Sequence, residues 1–217
     1  MNASIANDEF TTTDPSQPSI AKVRESKTPA ELLAIIEALA LENRSLRDEV
    51  TQLAEFKHLA YRDTLTGLHN RRSFDERLDE EWARCGRYGR TMSLVLIDLN
   101  DFKSINDQAG HAKGDEVLRF VGQALQETCR TCDVACRFGG DEFALLLPDT
   151  DAEGAEALME RVVARLYTED AVLELPSGLR LSISYGVVDT LEVQSPEEMF
   201  EEADEAMYER KRLSKVA

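Results

Sequence analysis

Between Pro29 and about Arg62 the chain places Leu32, Ile36, Leu39, Asn43, Leu46, Val50, Leu53 and Lys57 at alternating spacings of four and three. A seam of this kind, kept for about four heptads, predicts a helix that pairs with a parallel copy of itself. An amphipathic helix packed on its own domain would carry a wider apolar stripe. Asn43 falls at an a position, where a lone asparagine favours a two-stranded parallel register at some cost in stability. Glu42 at g can reach Arg47 at e of the partner helix. Thr28 reads as the N-cap, Pro29 as a first-turn residue and Glu31 as the return half of a capping box.

Downstream the period changes repeatedly. Gly67 and Asn70 signal a turn within Asp63-Thr-Leu-Thr-Gly-Leu-His-Asn-Arg-Arg72, and Ser73 to about Tyr88 returns to helical spacing. Met92 to Ile97 is almost continuously apolar and reads as a buried strand. Phe102 to Gln108 reads as a short helix, Gly110 and Gly114 as loop punctuation, and Asp115 to Cys129 as an amphipathic helix with Val117, Leu118, Val121 and Leu125 inward. Val134–Phe138 and Phe143–Leu147 are two β-prone runs across a glycine-bearing loop, which predicts a hairpin. A helix over Asp151 to about Thr168, a strand over Leu179 to Val188, and a last helix over Pro196 to Lys215 capped by Ser195 complete the order. Such interleaving predicts an α/β fold of the α+β kind, with a mixed or antiparallel sheet and helices over it.

Composition narrows the function. Of 217 residues 42% are hydrophobic, enough for one sizeable domain plus an extension. Residues 1–28 are polar, rich in Ser, Thr, Asp and Asn, and are expected to form a disordered tail, a place where another protein could dock. The formal net charge is −17, which argues against sequence-independent nucleic-acid binding and against anionic membrane surfaces. No apolar run approaches the ~20 residues of a membrane span. No basic-then-apolar leader opens the chain, so the cytoplasm is the expected compartment. Cys85, Cys129, Cys132 and Cys136 are expected to be free thiols there; the Cys129–Cys132 pair is a weak signal for zinc because no second pair matches it.

The chemistry concentrates in Arg137-Phe138-Gly139-Gly140-Asp141-Glu142-Phe143. Two glycines let a ligand approach the backbone closely, and two acids at such a turn suit a hard divalent cation bound with a phosphate. Taken alone such a turn is more often an ordinary polar surface loop. Asp98 stands at the end of the buried strand, where open α/β sheets place chemistry.

These stretches occur in order with Gly110-His-Ala-Lys-Gly-Asp115, Ser184-Tyr-Gly186 and Ala203-Asp-Glu-Ala-Met-Tyr208. Together they resemble the GGDEF domain, the diguanylate cyclase family, over 63–217, following a coiled-coil helix at 29–62. The resemblance implies a fold like the nucleotidyl cyclases and the polymerase palm, and condensation of two GTP into cyclic di-GMP and two pyrophosphates. It implies Asp98, Asp141 and Glu142 as catalytic acids. Magnesium, with manganese as a substitute, would be held by Asp98, the Leu99 carbonyl, Asp141 and Glu142. It implies that Gly139, Gly140, Phe102, Lys103, Lys211 and Lys215 meet the nucleotide, and that Asn106 and Asp115 select guanine, whose N1–H and amino group a carboxylate can accept. Lys215 stands where the family commonly has an arginine, and a lysine cannot form a bidentate phosphate clamp. Arg130-Thr-Cys-Asp133 matches the family's RxxD product-inhibition site, with Arg161 as its second arginine. Because each domain would hold one GTP, the resemblance and the coiled coil together imply a homodimer. A degenerate domain that only binds cyclic di-GMP is the rival reading, and the intact acids argue against it.

Overall fold

The computed structural model describes residues 28–214. Two compact units divide the chain, Met1–Glu55 and Phe56–Ala217. In the first, the described residues are Thr28 and the beginning of helix α1 (Pro29–Tyr61). The expected cap is formed: the Thr28 hydroxyl donates to Glu31 Oε2 at 2.7 Å and accepts from the Glu31 amide at 3.3 Å. Such a box contributes about 1 kcal/mol to a helix start. The seam residues Leu32, Ile36, Leu39, Leu46, Val50 and Leu53 are 40–68% exposed in the single chain. Leu33 and Leu41, outside that seam, are exposed as well. The expected tail at 1–27 and Lys215 lie outside the described residues.

The second unit is built on a five-stranded sheet of order β1-β3-β4-β2-β5. Its strands are β1 (His69–Asn70), β2 (Met92–Leu99), β3 (Val134–Gly139), β4 (Glu142–Pro148) and β5 (Ile183–Asp189). Only β1 runs parallel to its neighbour; the other pairings are antiparallel. Every residue of β2 is buried, as its unbroken apolar run requires of a central strand covered on both faces. Alternation along β2 divides the interior in two. Val95, Ile97 and Leu99 pack with Val121 and Leu125 of helix α4 (His111–Thr128) and Leu158 and Val162 of helix α5 (Ala152–Glu169). Met92, Leu94 and Leu96 pack with Phe74 and Leu78 of helix α2 (Arg71–Tyr88) and Met199 and Ala203 of helix α6 (Pro196–Ser214). Asp98 continues this second face. Helix α3 (Phe102–Ala109) follows β2 directly. Among the described residues no helix is long and apolar enough to cross a membrane.

Two expectations are corrected, and one strand was not foreseen. Gly114 is not loop punctuation: α4 starts at His111, and Gly114 is buried inside it because another side chain needs the space. The last strand begins at Ile183 rather than Leu179. Among the described residues its partner is β2, whose ladder ends at Leu99 paired with Ile183; one more backbone bond, from the Asn100 amide to the Ser182 carbonyl at 2.9 Å, closes the pairing before β2 turns away. Strand β1, two residues long, is too short for any periodicity to show. The cap on α6 is as expected, with the Glu198 amide donating to Ser195 Oγ at 3.1 Å.

Candidate active site

The β3–β4 hairpin and the end of β2 bring the expected acids together. Asp98 and Glu142 are directly opposed cross-strand partners, so their side chains leave the same face of the sheet. The turn between the strands is held against β2 by its backbone: the Leu99 amide donates to the Asp141 carbonyl at 3.3 Å. Asp98 is 9% exposed. Its partner in the single chain is Lys211 of α6, whose Nζ lies 2.5 Å from Oδ1. Partial burial, then the charges of Asp98, Asp141 and Asp204, push the Glu142 carboxyl above the usual carboxylate range. Beside Glu142 a cavity of about 290 Å³ has an apolar floor of Leu96, Phe138, Phe200 and Met207 and a rim that includes Asp204.

Past Asp98 the chain turns sharply into α3. Asp101 adopts a left-handed conformation, φ 54°, unusual for a residue with a Cβ. The bend is held by Asn100, whose Oδ1 accepts from Ser184 Oγ at 2.9 Å and whose Nδ2 donates to Ser182 Oγ at 3.2 Å. It presents the first amides of α3, at Phe102 and Lys103, which have no carbonyl one turn back and suit an anion. Lys103 is exposed beside them. One turn on, Asn106 rests on α4: a Cβ at Gly114 would lie 2.0 Å from Asn106 Oδ1 and 3.2 Å from the Phe102 ring. Gly114 therefore leaves the space that Asn106 and Phe102 occupy, and Asp115 follows it on α4.

Arg137 has a role that the sequence pattern did not assign. Its Nε and Nη2 donate to the Gly140 carbonyl at 3.0 and 2.7 Å, and Nη1 reaches Asp63 Oδ2 at 3.3 Å. Asp63 also accepts from the Thr66 amide and hydroxyl at 2.8 and 2.7 Å. Burial alone would raise the Asp63 carboxyl, but Thr66 and Arg137 outweigh it and hold the pKa below its ordinary value. One guanidinium thus ties the Asp63–Gly67 turn to the residue preceding Asp141. Gly140 is in the left-handed region, φ 52°, and no atom stands within 4 Å of where a Cβ would sit at Gly139 or Gly140, so the space over the turn is open.

The Arg130–Asp133 turn lies elsewhere, between α4 and β3. The Arg130 amide donates to Asp133 Oδ2 at 2.7 Å. Both residues line a cavity of about 310 Å³. Arg161 on α5 bonds the Ala157 carbonyl at 3.2 Å and is near enough to act electrostatically on Cys129, another lining residue. All four cysteines are free. Burial, then the Asp133 charge, push the Cys129 thiol up to about 12, so it carries no thiolate at neutral pH.

A mixed sheet with helices on both faces, an acid pair at the end of its central strand and a glycine turn alongside define an α+β domain of the nucleotide-cyclase kind. Residues 60–215 match the family model described as "Diguanylate cyclase, GGDEF domain", and the chain belongs to this family. It is 34% identical over 196 residues to "Diguanylate cyclase DgcP" of Pseudomonas aeruginosa, covering 88% of this chain and 28% of that protein. It is 40% identical over 172 residues to "Probable diguanylate cyclase DgcC" of Escherichia coli K12, covering 76% of this chain and 45% of that protein. The chain therefore spans less than half of either relative. Among solved structures it is similar to the coiled coil and GGDEF domain of DgcB from Caulobacter crescentus in complex with c-di-GMP. That match has a TM-score of 0.71 and 29% identity, covering 83% of this chain and 94% of that one. It is also similar to the diguanylate cyclase SiaD in complex with its activator SiaC from Pseudomonas aeruginosa, with a TM-score of 0.66 and 32% identity, covering 84% and 70%.

Proposed function

We propose that this chain is a diguanylate cyclase, joining two GTP molecules into cyclic di-GMP with release of two pyrophosphates. The observation that carries this reading is the opposed Asp98–Glu142 pair with the Asp141 turn bonded to Leu99. Two acids on adjacent strands leave the same face of the sheet, and the turn that carries the third is close enough for its charge to act on Glu142.

The residues suit magnesium. Among the described residues no set of three or more His, Cys, Asp or Glu is placed so that together they could hold a metal ion. Mg²⁺ rarely uses an all-protein cage; it binds through one or two carboxylates plus substrate phosphates. The crowding of negative charge that raises Glu142 is what a cation would relieve, and the Lys211 ammonium already occupies part of that position. Asp98, the Leu99 carbonyl and Asp141 would hold the ion, with Glu142 beside them. Manganese meets the same hard-oxygen requirement. When bound, the ion would neutralise charge on the phosphates and lower the pKa of the attacking hydroxyl.

The chain's own groups do the remaining work. The Phe102 and Lys103 amides, Lys103 and Lys211 receive the triphosphate, with Lys215 further along. Asn106 and Asp115 accept from and donate to the guanine edge, and adenine leaves Asp115 unpaired at a cost of about 1–3 kcal/mol. Glu142, the cross-strand partner of Asp98, stands where it can act at the metal or at the 3′-hydroxyl as that oxygen attacks the α-phosphorus of the other GTP, loses its proton, and the bond to pyrophosphate breaks. Gly114→Ala is expected to displace Asn106 and raise the KM for GTP about tenfold or more, with a smaller change in kcat. Steady-state kinetics at saturating magnesium check this, and an unchanged KM would remove Asn106 from the guanine site.

Two copies must face each other, because each site supplies one hydroxyl and one α-phosphate. The exposed seam of α1 supports a parallel coiled coil that raises the local concentration of the second domain to about mM. Asn43→Leu is expected to change the oligomeric state or the turnover without touching the site, since a lone polar a residue specifies the register. Light scattering and a turnover assay on the same sample check it; a native dimer with native turnover would leave Asn43 without that role. Cyclic di-GMP feeding back at Arg130, Asp133 and Arg161 completes the reading, and the polar N-terminal segment offers a site for a partner protein. The domain as a whole is tested by incubating purified dimeric chain with GTP and magnesium. Cyclic di-GMP is the expected product, and a folded dimer that makes none would overturn the proposal.

A further inference from the structure

We propose that Arg210, Tyr185 and Glu156 are positioning residues for Lys211: together they close the end of α6 around edge strand β5 and set the place of the ammonium beside Asp98. This deepens the reading in which Lys211 receives the triphosphate, and rests on it. The need for such a device follows from how α6 is held. Met199 and Ala203 are buried in the core, with Phe200 and Met207 packed against it. Past Met207, residues Tyr208, Glu209, Arg212 and Leu213 are exposed. The apolar support therefore stops about one turn short of Lys211, in the part of a helix that frays most readily. A lysine is a point charge on a flexible four-carbon stem, so the place of its ammonium depends on where the helix puts its Cα.

Arg210 supplies the missing tie. Successive residues of a helix leave it about 100° apart, and Arg210 and Lys211 pass the edge strand on opposite faces. Lys211 lies on Asp98, on the side of β2 that also carries Leu94 and Leu96. Arg210 lies 3.8 Å over the ring of Tyr185, which pairs with Ile97 and is buried in the core on the other side. Glu156 of α5 uses both oxygens: Oε1 accepts from Arg210 Nη2 at 3.0 Å, and Oε2 accepts from the Tyr185 hydroxyl at 3.1 Å. Burial raises the Tyr185 hydroxyl above its ordinary pKa, opposed by Arg210 and assisted by Glu156, so it stays protonated and donates. Stability alone does not account for this arrangement. The Arg210–Glu156 pair is about 40% exposed on both sides, and such pairs contribute little to folding. Arg210 Nη1 is meanwhile buried with no hydrogen-bond partner among the described residues, which is unfavourable. An apolar contact between α5 and α6 would hold them without an unmet donor. What the guanidinium adds is direction: a flat group pinned by a ring and a carboxylate fixes the turn of helix that carries Lys211.

The test uses the full chain and two readouts: calorimetry with magnesium and 3′-deoxy-GTP, which lacks the attacking hydroxyl and cannot react, and KM and kcat for GTP. Arg210→Ala should weaken the affinity and raise KM about tenfold, with a smaller change in kcat, while the melting temperature falls by no more than about 4 °C. Arg210→Lys keeps the charge but loses the plane and the fork, and should also be weakened several-fold. Glu156→Ala should match Arg210→Ala, and Glu156→Gln, whose carbonyl still accepts, should return to within about threefold of the parent. With Lys211→Ala already present, Arg210→Ala should weaken affinity no further, because the two residues act as one unit. Parent affinity in Arg210→Ala, full recovery in Arg210→Lys, or a further tenfold loss on top of Lys211→Ala would each overturn the proposal. Parent affinity in Lys211→Ala would remove the triphosphate role of Lys211 and the positioning role with it. A folded dimeric parent that binds no 3′-deoxy-GTP and forms no cyclic di-GMP would instead sink the cyclase reading beneath both.

Discussion

Asp141→Ala is expected to lower cyclic di-GMP synthesis about a thousandfold or more while the protein stays folded and dimeric. The structural contribution of Asp141 is made by its backbone, whose carbonyl accepts from Leu99, and alanine keeps that bond. Its side chain is half-buried at an open turn and has no hydrogen bond among those described, so the stability change should fall within about 0.5 kcal/mol. What is lost is one of the acids gathered at the end of β2. On the proposed reading an ion held there would contribute several kcal/mol of charge stabilisation as pyrophosphate departs, and each 1.36 kcal/mol is about tenfold in rate. Product formation by chromatography, the melting temperature and the oligomeric state are read on one preparation. Turnover within tenfold of the parent in a folded dimer would remove Asp141 from the site. A melting temperature that falls by ten degrees would show that the residue is structural.

The elements that carry the site were legible because their chemistry is local. An unbroken apolar run ending in Asp98 and a glycine pair between two β-prone runs identify β2 and the hairpin without any tertiary information. The cap at Thr28 and that at Ser195 are spacings of three residues and are visible for the same reason. What the pattern did not carry depends on approach between distant segments. Arg137 reads as one more polar residue until the fold brings Asp63, 74 positions away, against it. Gly114 reads as a loop glycine because composition does not distinguish a glycine that turns the chain from one that makes room for Asn106. The end of β5 was misplaced because a strand stops where its partner stops, and that partner is set by topology. Ser184 and Asn100, a buried pair that fixes the bend after Asp98, are 84 residues apart.

Gly186→Ala is expected to cost both stability and activity, and it separates the two roles of α6. A Cβ at Gly186 would lie 2.0 Å from the Ala203 carbonyl oxygen and 2.6 Å from the Met207 amide nitrogen. Both are backbone atoms of α6, so no side chain can rotate away and the helix must move by roughly an ångström or the strand must bend. Overpacking of this kind costs about 1–3 kcal/mol, which at about 2–4 °C per kcal/mol for a protein of this size lowers the melting temperature by about 2–12 °C. The helix cannot simply slide to relieve the strain. Beyond the contact, Arg210 reaches past edge strand β5 to lie 3.8 Å over the Tyr185 ring, and it bonds Glu156 of α5 at 3.0 Å, where the Tyr185 hydroxyl also donates. The helix is held on one face of the sheet by Gly186 and on the other by this clasp, and the next residue, Lys211, is the one on Asp98. On the proposed reading Lys211 binds phosphate, and displacement of about an ångström at such a group can cost about a hundredfold in rate. Gly86→Ala, at an exposed position of α2 where nothing stands within 4 Å of the added carbon, is the matched control and should leave turnover unchanged and the melting temperature equal or slightly higher. If Gly186→Ala melts lower but turns over GTP at the parent rate, the close approach serves packing alone. If it matches the parent in both, α6 has slack that the contacts at Ala203 and Met207 deny.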